Sequence, residues 1–110
     1  AVADGDMVYV SGTTGYDYSR MEMPQDVAAQ TRNALSTIEK ALQEAGGSLR
    51  DVLRVRHYIT DMTDYDALLE VLGQTFADIR PAATMVVCGL TTPEMKVEIE
   101  VTARIGAGTS

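Results

Sequence analysis

Apolar and polar positions change period several times along the chain, and each change predicts an element. Met7-Val8-Tyr9-Val10-Ser11 is rich in β-branched and aromatic residues and closes on Gly12, which reads as a strand. From Gly12 to Met23, glycine, threonine, aspartate and serine break any regular pattern, and a loop is expected. Pro24 suits a first helical turn, with Gln25 and Asp26 at its positive end. Val27, Thr31, Ala34, Leu35, Ile38, Ala41, Leu42 and Ala45 then recur at steps of three and four, the stripe of a long amphipathic helix. Gln30, Arg32, Asn33, Glu39 and Lys40 are assigned to its outward face, and Gly46-Gly47 ends it with a left-handed cap.

The period changes to two from Val52 to Thr60, with Leu53, Val55, His57 and Ile59 on one side and Arg54, Arg56, Tyr58 and Thr60 on the other. A second helix is expected from about Asp64 to Phe76, opened by a short-side-chain capping box of Thr63 and Asp66. Its inner face is read as Tyr65, Leu68, Leu69, Leu72 and Phe76. Arg80-Pro81 punctuates the chain before a strand from Ala82 to Cys88, and Gly89 to Pro93 forms a turn. Met95, Val97, Ile99, Val101 and Ala103 alternate with Lys96, Glu98, Glu100, Thr102 and Arg104, the cleanest strand pattern in the chain. Ile105 to Ser110 is a small polar tail expected to fray.

The elements run β-α-β-α-β-β without repeat or linker, and 110 residues suit one unit spanning 1–110. Two helices with one apolar stripe each cover one face of so small a sheet. The other face then carries Arg54, Arg56, Glu98 and Glu100, and meets either water or another subunit.

Composition narrows the partners. Acidic residues outnumber basic ones 16 to 9, a formal charge of −7, which repels phosphate backbones and anionic lipid. Nucleic acid and membrane are therefore not expected as partners. No apolar run approaches the ~20 residues needed to cross a bilayer, and no charged-then-apolar leader is visible. The single Cys88 cannot form an internal disulfide, so the expected location is the reducing cytoplasm.

Candidate chemistry is sparse. No metal-ligand spacing is present, and no cofactor is implied. His57 shares the apolar side of its strand and reads as a buried or half-buried histidine bonded to a backbone carbonyl rather than a catalyst. Cys88 has apolar flanks and no evident base. Arg56 has two readings, a ligand-binding cation or a cross-strand ion pair with Glu98 or Glu100. Glu98 is either a site carboxylate or one charge on a solvated strand face.

Two stretches stand out. Arg80-Pro81-Ala82-Ala83-Thr84-Met85-Val86-Val87, followed after a turn by Lys96-Val97-Glu98-Ile99-Glu100-Val101, resembles the signature of the RidA (YjgF) family. Val8-Tyr9-Val10-Ser11-Gly12 and the run from Asp51 to Asp61 are similar to that family's first-hairpin strand and third strand, so the resemblance spans about Ala3 to Arg104. It implies a chorismate-mutase-like α+β fold with two helices on one face of the sheet. It also implies a homotrimer with small-molecule pockets in the clefts between subunits. Members of the family hydrolyse enamines and imines to 2-keto acids and ammonia. Matched position by position, Glu98 is the glutamate that places the attacking water, Ser11 and Gly12 form the pocket wall, and Thr84 follows the catalytic arginine. That arginine is here Ala83, whose methyl group cannot pair with a carboxylate. Arg56 is the cation that could replace it.

The leading expectation is a trimer that binds a small carbonyl or imine metabolite, with hydrolysis of reactive enamines or imines as the activity the resemblance implies. The alternatives are a non-catalytic binding or regulatory trimer, and a translation inhibitor or endoribonuclease of the kind described among relatives.

Overall fold

The computed structural model of the chain describes residues 1–109 and contains one five-stranded sheet with two helices. In chain order the strands are β1 (Val2–Asp4), β2 (Met7–Thr14), β3 (Val52–Ile59), β4 (Ala82–Val87) and β5 (Val97–Arg104), with α1 (Val27–Glu44) and α2 (Tyr65–Phe76) between them. The spatial order is β1-β2-β5-β3-β4, antiparallel throughout except where β4 runs parallel to β3 at the edge. The α+β class and the two helices agree with the reading of the sequence.

Alternation divides the sheet into two faces. Val8, Val10, Val55, His57, Ile59, Val97, Ile99, Val101 and Ala103 are buried. Their apolar members form one core with Ala34, Leu35, Ile38 and Leu42 of α1 and Leu68, Val71, Leu72 and Phe76 of α2. The opposite face carries Tyr9, Ser11, Arg54, Arg56, Tyr58, Glu98, Glu100 and Thr102, all exposed or half-buried. No helix covers it.

The departures from the sequence reading have local causes. β1 was not expected, because its three residues are all exposed and carry no alternation to read. It pairs with β2 through the two-residue loop Gly5-Asp6, where Gly5 adopts φ +62 as the first central residue of a tight hairpin turn. β2 runs on to Thr14 through an irregularity between Val10 and Thr13, so the Gly12 loop starts later than expected. α1 starts at Val27 rather than around Pro24, with the Asp26 carboxylate accepting from the Ala29 amide at 3.3 Å.

Gln30 is the largest correction. Assigned to the outward face, it is fully buried. Its amide nitrogen donates to the carbonyls of Pro24 (2.6 Å) and Glu94 (2.9 Å), and its oxygen accepts from the Lys96 amide at 2.9 Å. A polar side chain goes inside when both its ends find backbone partners, and here it ties α1 to the start of β5. Gly15 gives it room, since a Cβ there would stand 2.3 Å from the Gln30 Cα.

A second irregularity, between Val52 and Arg54, turns Leu53 outward and buries Val52, reversing the expected side of Leu53. In α2, Leu69 is 44% exposed and Val71 lies in the core instead. The turn before α2 is capped by Asp61, which accepts from the Thr63 amide at 2.9 Å, and no Thr63–Asp66 box forms. β4 stops at Val87 and β5 starts at Val97, each short of the span expected.

The tail is anchored rather than frayed up to Thr109. The Ile105 amide bonds the Asp6 carbonyl at 2.7 Å, and Ala107–Thr109 forms a 3₁₀ turn. The buried Asp51 carboxylate accepts from the amides of Ser48, Gly106 and Gly108 at 3.0, 3.2 and 3.0 Å. The expectation for Ser110 lies outside the described residues.

Candidate functional site

The uncovered sheet face is built in rows that the pairing register defines. Thr14, Glu98 and Tyr58 form one row, extended on β4 by Val86. Glu100, Arg56 and Thr84 form the next. Tyr9, Thr102, Arg54 and Ala82 form the third.

Glu98 and Gly12 are brought into contact. A Cβ built on Gly12 would meet Oε2 of Glu98 at 2.6 Å and its Cδ at 2.8 Å, so only glycine lets the carboxylate lie over this part of β2. Ser11 stands beside it, exposed, its carbonyl accepting from the Thr13 hydroxyl at 2.9 Å. Glu98 is half-buried on a face without helices.

Arg56 and Thr84 sit elsewhere. Arg56 lies opposite Glu100, with Nη1 3.9 Å from Oε1 and the two side chains 51% and 35% exposed. So long and open a pair is worth at most about 1 kcal/mol. Tyr58 donates its hydroxyl hydrogen to the same carboxylate oxygen, and this bond raises the tyrosine pKa. Thr84 is in register with Arg56. It lies two strands and one row from Glu98, about 12 Å between backbones by ordinary sheet spacings, beyond hydrogen-bond reach. One protomer thus gathers Ser11, Gly12 and Glu98 in one place, and Arg56 with Thr84 in another. A shallow cleft of about 220 Å³ between Tyr9, Arg54, Arg56, Glu100 and Thr102 adjoins the second group. Sequence reasoning missed Tyr9 and the Tyr58–Glu100 bond. Alternation puts Tyr58 and Glu100 on the polar side, but their contact depends on register, and the first strand was read without assigning Tyr9 to a face.

Ala83 faces the other way. Its partner on β3 is Val55, so it shares the helix side of the sheet with His57 and Met85. There it lines two adjoining hollows between α2 and β4, of about 310 and 200 Å³, which also share His57 and Leu69. Glu98 and residue 83 therefore occupy opposite faces of one protomer.

His57 is buried, and loss of solvation lowers its pKa below the ordinary value, with a hydrogen bond to the Thr84 backbone opposing. A depressed histidine pKa means that the unfolded chain binds a proton more readily than the folded one as pH falls through 6.5. Stability is then lost as pH drops from about 7 toward the folded pKa. Melting curves between pH 7 and pH 5 should show a falling midpoint that flattens in His57→Gln; equal slopes for the two proteins would assign the loss to other groups.

Among the described residues, no group of three or more His, Cys, Asp or Glu side chains is placed to hold a metal ion, and no helix is long and apolar enough to cross a membrane.

The comparisons with known proteins agree with this frame. The family model described as Endoribonuclease L-PSP matches residues 1–105. The chain belongs to that family, the one whose members are also called YjgF and RidA. Among solved structures it is similar to Rv2704 of Mycobacterium tuberculosis, a YjgF/YER057c/UK114 family member, at 43% identity and a TM-score of 0.85, covering 94% of this chain and 82% of that one. It is also similar to RidA from an Antarctic Psychrobacter, at 33% identity and a TM-score of 0.88, covering 94% and 85%.

Proposed function

We propose that this chain forms a homotrimer in the cytoplasm, folded as one unit over residues 1–110. Its intersubunit clefts bind a small carbonyl or imine metabolite, and it hydrolyses reactive imines to 2-keto acids and ammonia. The observation that carries the reading is the Glu98 carboxylate lying over Gly12 on a sheet face that no helix covers. A face mixing aromatic, charged and hydroxyl groups along three strands suits closure by sister protomers. The opposite orientation of Glu98 and Ala83 supports the same arrangement, because a pocket containing both must take them from two copies.

In this reading Glu98 accepts a proton from water as the oxygen adds to the C=N carbon. It then returns that proton to the nitrogen of the protonated-imine adduct, and as the C–N bond breaks the adduct's hydroxyl hydrogen passes back to the Glu98 carboxylate, releasing ammonia and leaving the ketone. Ser11 and Gly12 line the wall, Thr84 lies on β4 in register with Arg56, and Arg56 supplies a cation if it leaves Glu100 for a substrate carboxylate. No metal or cofactor enters the scheme.

A second reading, binding or regulation without hydrolysis, is favoured by Ala83, which provides no charge where the resemblance expects a guanidinium. The assay is keto-acid and ammonia release from a 2-imino acid generated in place by an amino-acid oxidase, with semicarbazide trapping in parallel. Release above the buffer rate supports hydrolysis, and saturable binding without release supports the second reading. RNA cleavage that copurifies with the chain through every step would instead favour the endoribonuclease activity in the family's name.

A further inference from the structure

We propose that the hollow between the loop 16–19 and the outer side of α1 is a binding site for a free α-amino acid, its ammonium facing Asp17 and its carboxylate facing Lys40. The hollow lies within one protomer and shares no residue with the clefts on either side of the sheet or with Ser11, Gly12 and Glu98.

Its floor comes from the period of α1. Asn33, Ser36, Thr37 and Lys40 follow at steps of three and four, so they share one strip of the helix, away from the Ala34, Leu35 and Ile38 side that enters the core. The loop is fastened over that strip. The Asn33 side-chain nitrogen donates to the Gly15 carbonyl at 3.1 Å, and the backbones of Asp17 and Glu22 bond each other in both directions, at 2.7 and 3.2 Å. Asp17 Oδ1 accepts from the Ser19 hydroxyl at 2.6 Å and from the amides of Ser19 and Arg20 at 3.0 and 3.3 Å. Those bonds, the hydroxyl's foremost, hold the carboxyl below its ordinary pKa and keep it charged at neutral pH.

Neither Oδ2 of Asp17 nor the Lys40 ammonium has a hydrogen bond or salt bridge among the described residues. Two opposite charges thus line one hollow without pairing with each other. A simple anion there would meet the carboxylate, and a simple cation the ammonium. Charge complementarity therefore selects a molecule that carries both signs. The other lining groups suit the same ligand. The Ser36 and Thr37 hydroxyls stand one turn from Lys40 and can donate to a carboxylate. The Tyr16 and Tyr18 rings flank Asp17, packed edge to face with centroids 4.9 Å apart, and an aromatic face favours an ammonium. The volume of about 270 Å³ lies below the usual range for drug-sized ligands and suits an amino acid.

The test uses the full chain labelled with ¹⁵N, titrated with L-leucine, with 4-methylpentanoate, which lacks its ammonium, and with 3-methylbutan-1-amine, which lacks its carboxylate. Leucine should shift the amides of Asp17, Ser19, Asn33, Ser36, Thr37 and Lys40 and saturate in the millimolar range. Each analogue should bind there roughly tenfold more weakly, the worth of one charge-assisted contact. Lys40→Gln, at an exposed position, should keep the fold and bring leucine down to the level of the amine. Equal affinity of the three compounds for this hollow would overturn the proposal. So would leucine shifts confined to Gly12, Glu98 and Ala83, no saturable shift at millimolar leucine, or undiminished affinity in Lys40→Gln. The analogue series on the unsubstituted chain decides the matter even if Lys40→Gln alters the fold.

Discussion

Glu98→Gln is expected to lower ammonia release from a freshly generated 2-imino acid by a factor of about 10² or more, with little change in melting temperature. The factor is that of a general base removed from a proton-transfer step. Gln is nearly isosteric, so it still fits over Gly12, where a Cβ would come within 2.6 Å of the carboxylate oxygen. What disappears is the ability to accept a proton from water. The small stability effect follows from the place of Glu98 on the half-buried open face, outside the core between sheet and helices. Coupled measurement of ammonia and keto acid checks the first part, and a thermal melt checks the second. A variant as fast as the parent would remove Glu98 from the chemistry.

The largest stability effect is expected at Asp51. Asp51→Ala removes a carboxylate that accepts from three backbone amides, one in the turn before β3 and two in the tail after β5. Hydrogen bonds to a charged group are each worth about 1.5–3 kcal/mol, and their donors stay in a partly buried setting when the acceptor is deleted. A loss of about 3 kcal/mol or more is expected, or on the order of 10–20 °C in midpoint for a chain of this size. Asp51→Asn retains one carbonyl oxygen and should fall between the two. Denaturant melts with unchanged slope would confirm a native-state effect, while an Ala variant within about 1 kcal/mol of the parent would show that the tail is held by other contacts.

Much of the fold was legible because it rests on long periodic segments. The α1 stripe through Val27, Leu35, Ile38 and Leu42 and the alternation from Val97 to Ala103 each repeat often enough to place the buried side without a structure. What was not legible depends on contacts between elements. Gln30 looks like any polar surface residue until the carbonyls of Pro24 and Glu94 are brought to it. Leu53 changes side because of an irregularity that leaves no mark in the residues around it. Asp51 reads as an ordinary turn residue, and its two tail partners lie 55 and 57 positions away. The candidate site divides in the same way. Ser11, Gly12 and Glu98 could be named through family resemblance, but their contact required the β2–β5 register. Ala83 and Thr84 are adjacent in sequence, yet they project to opposite faces, which the motif alone does not reveal.

In the proposed assembly, sister protomers close the open face and thereby complete the site around Glu98. Sedimentation equilibrium of the full chain at micromolar concentration tests it most directly. A single species of three times the mass of the chain is expected, dispersed by charge reversal at Arg54 and Arg56 on that face. A stable species with the mass of one chain, unchanged by those substitutions, would contradict it.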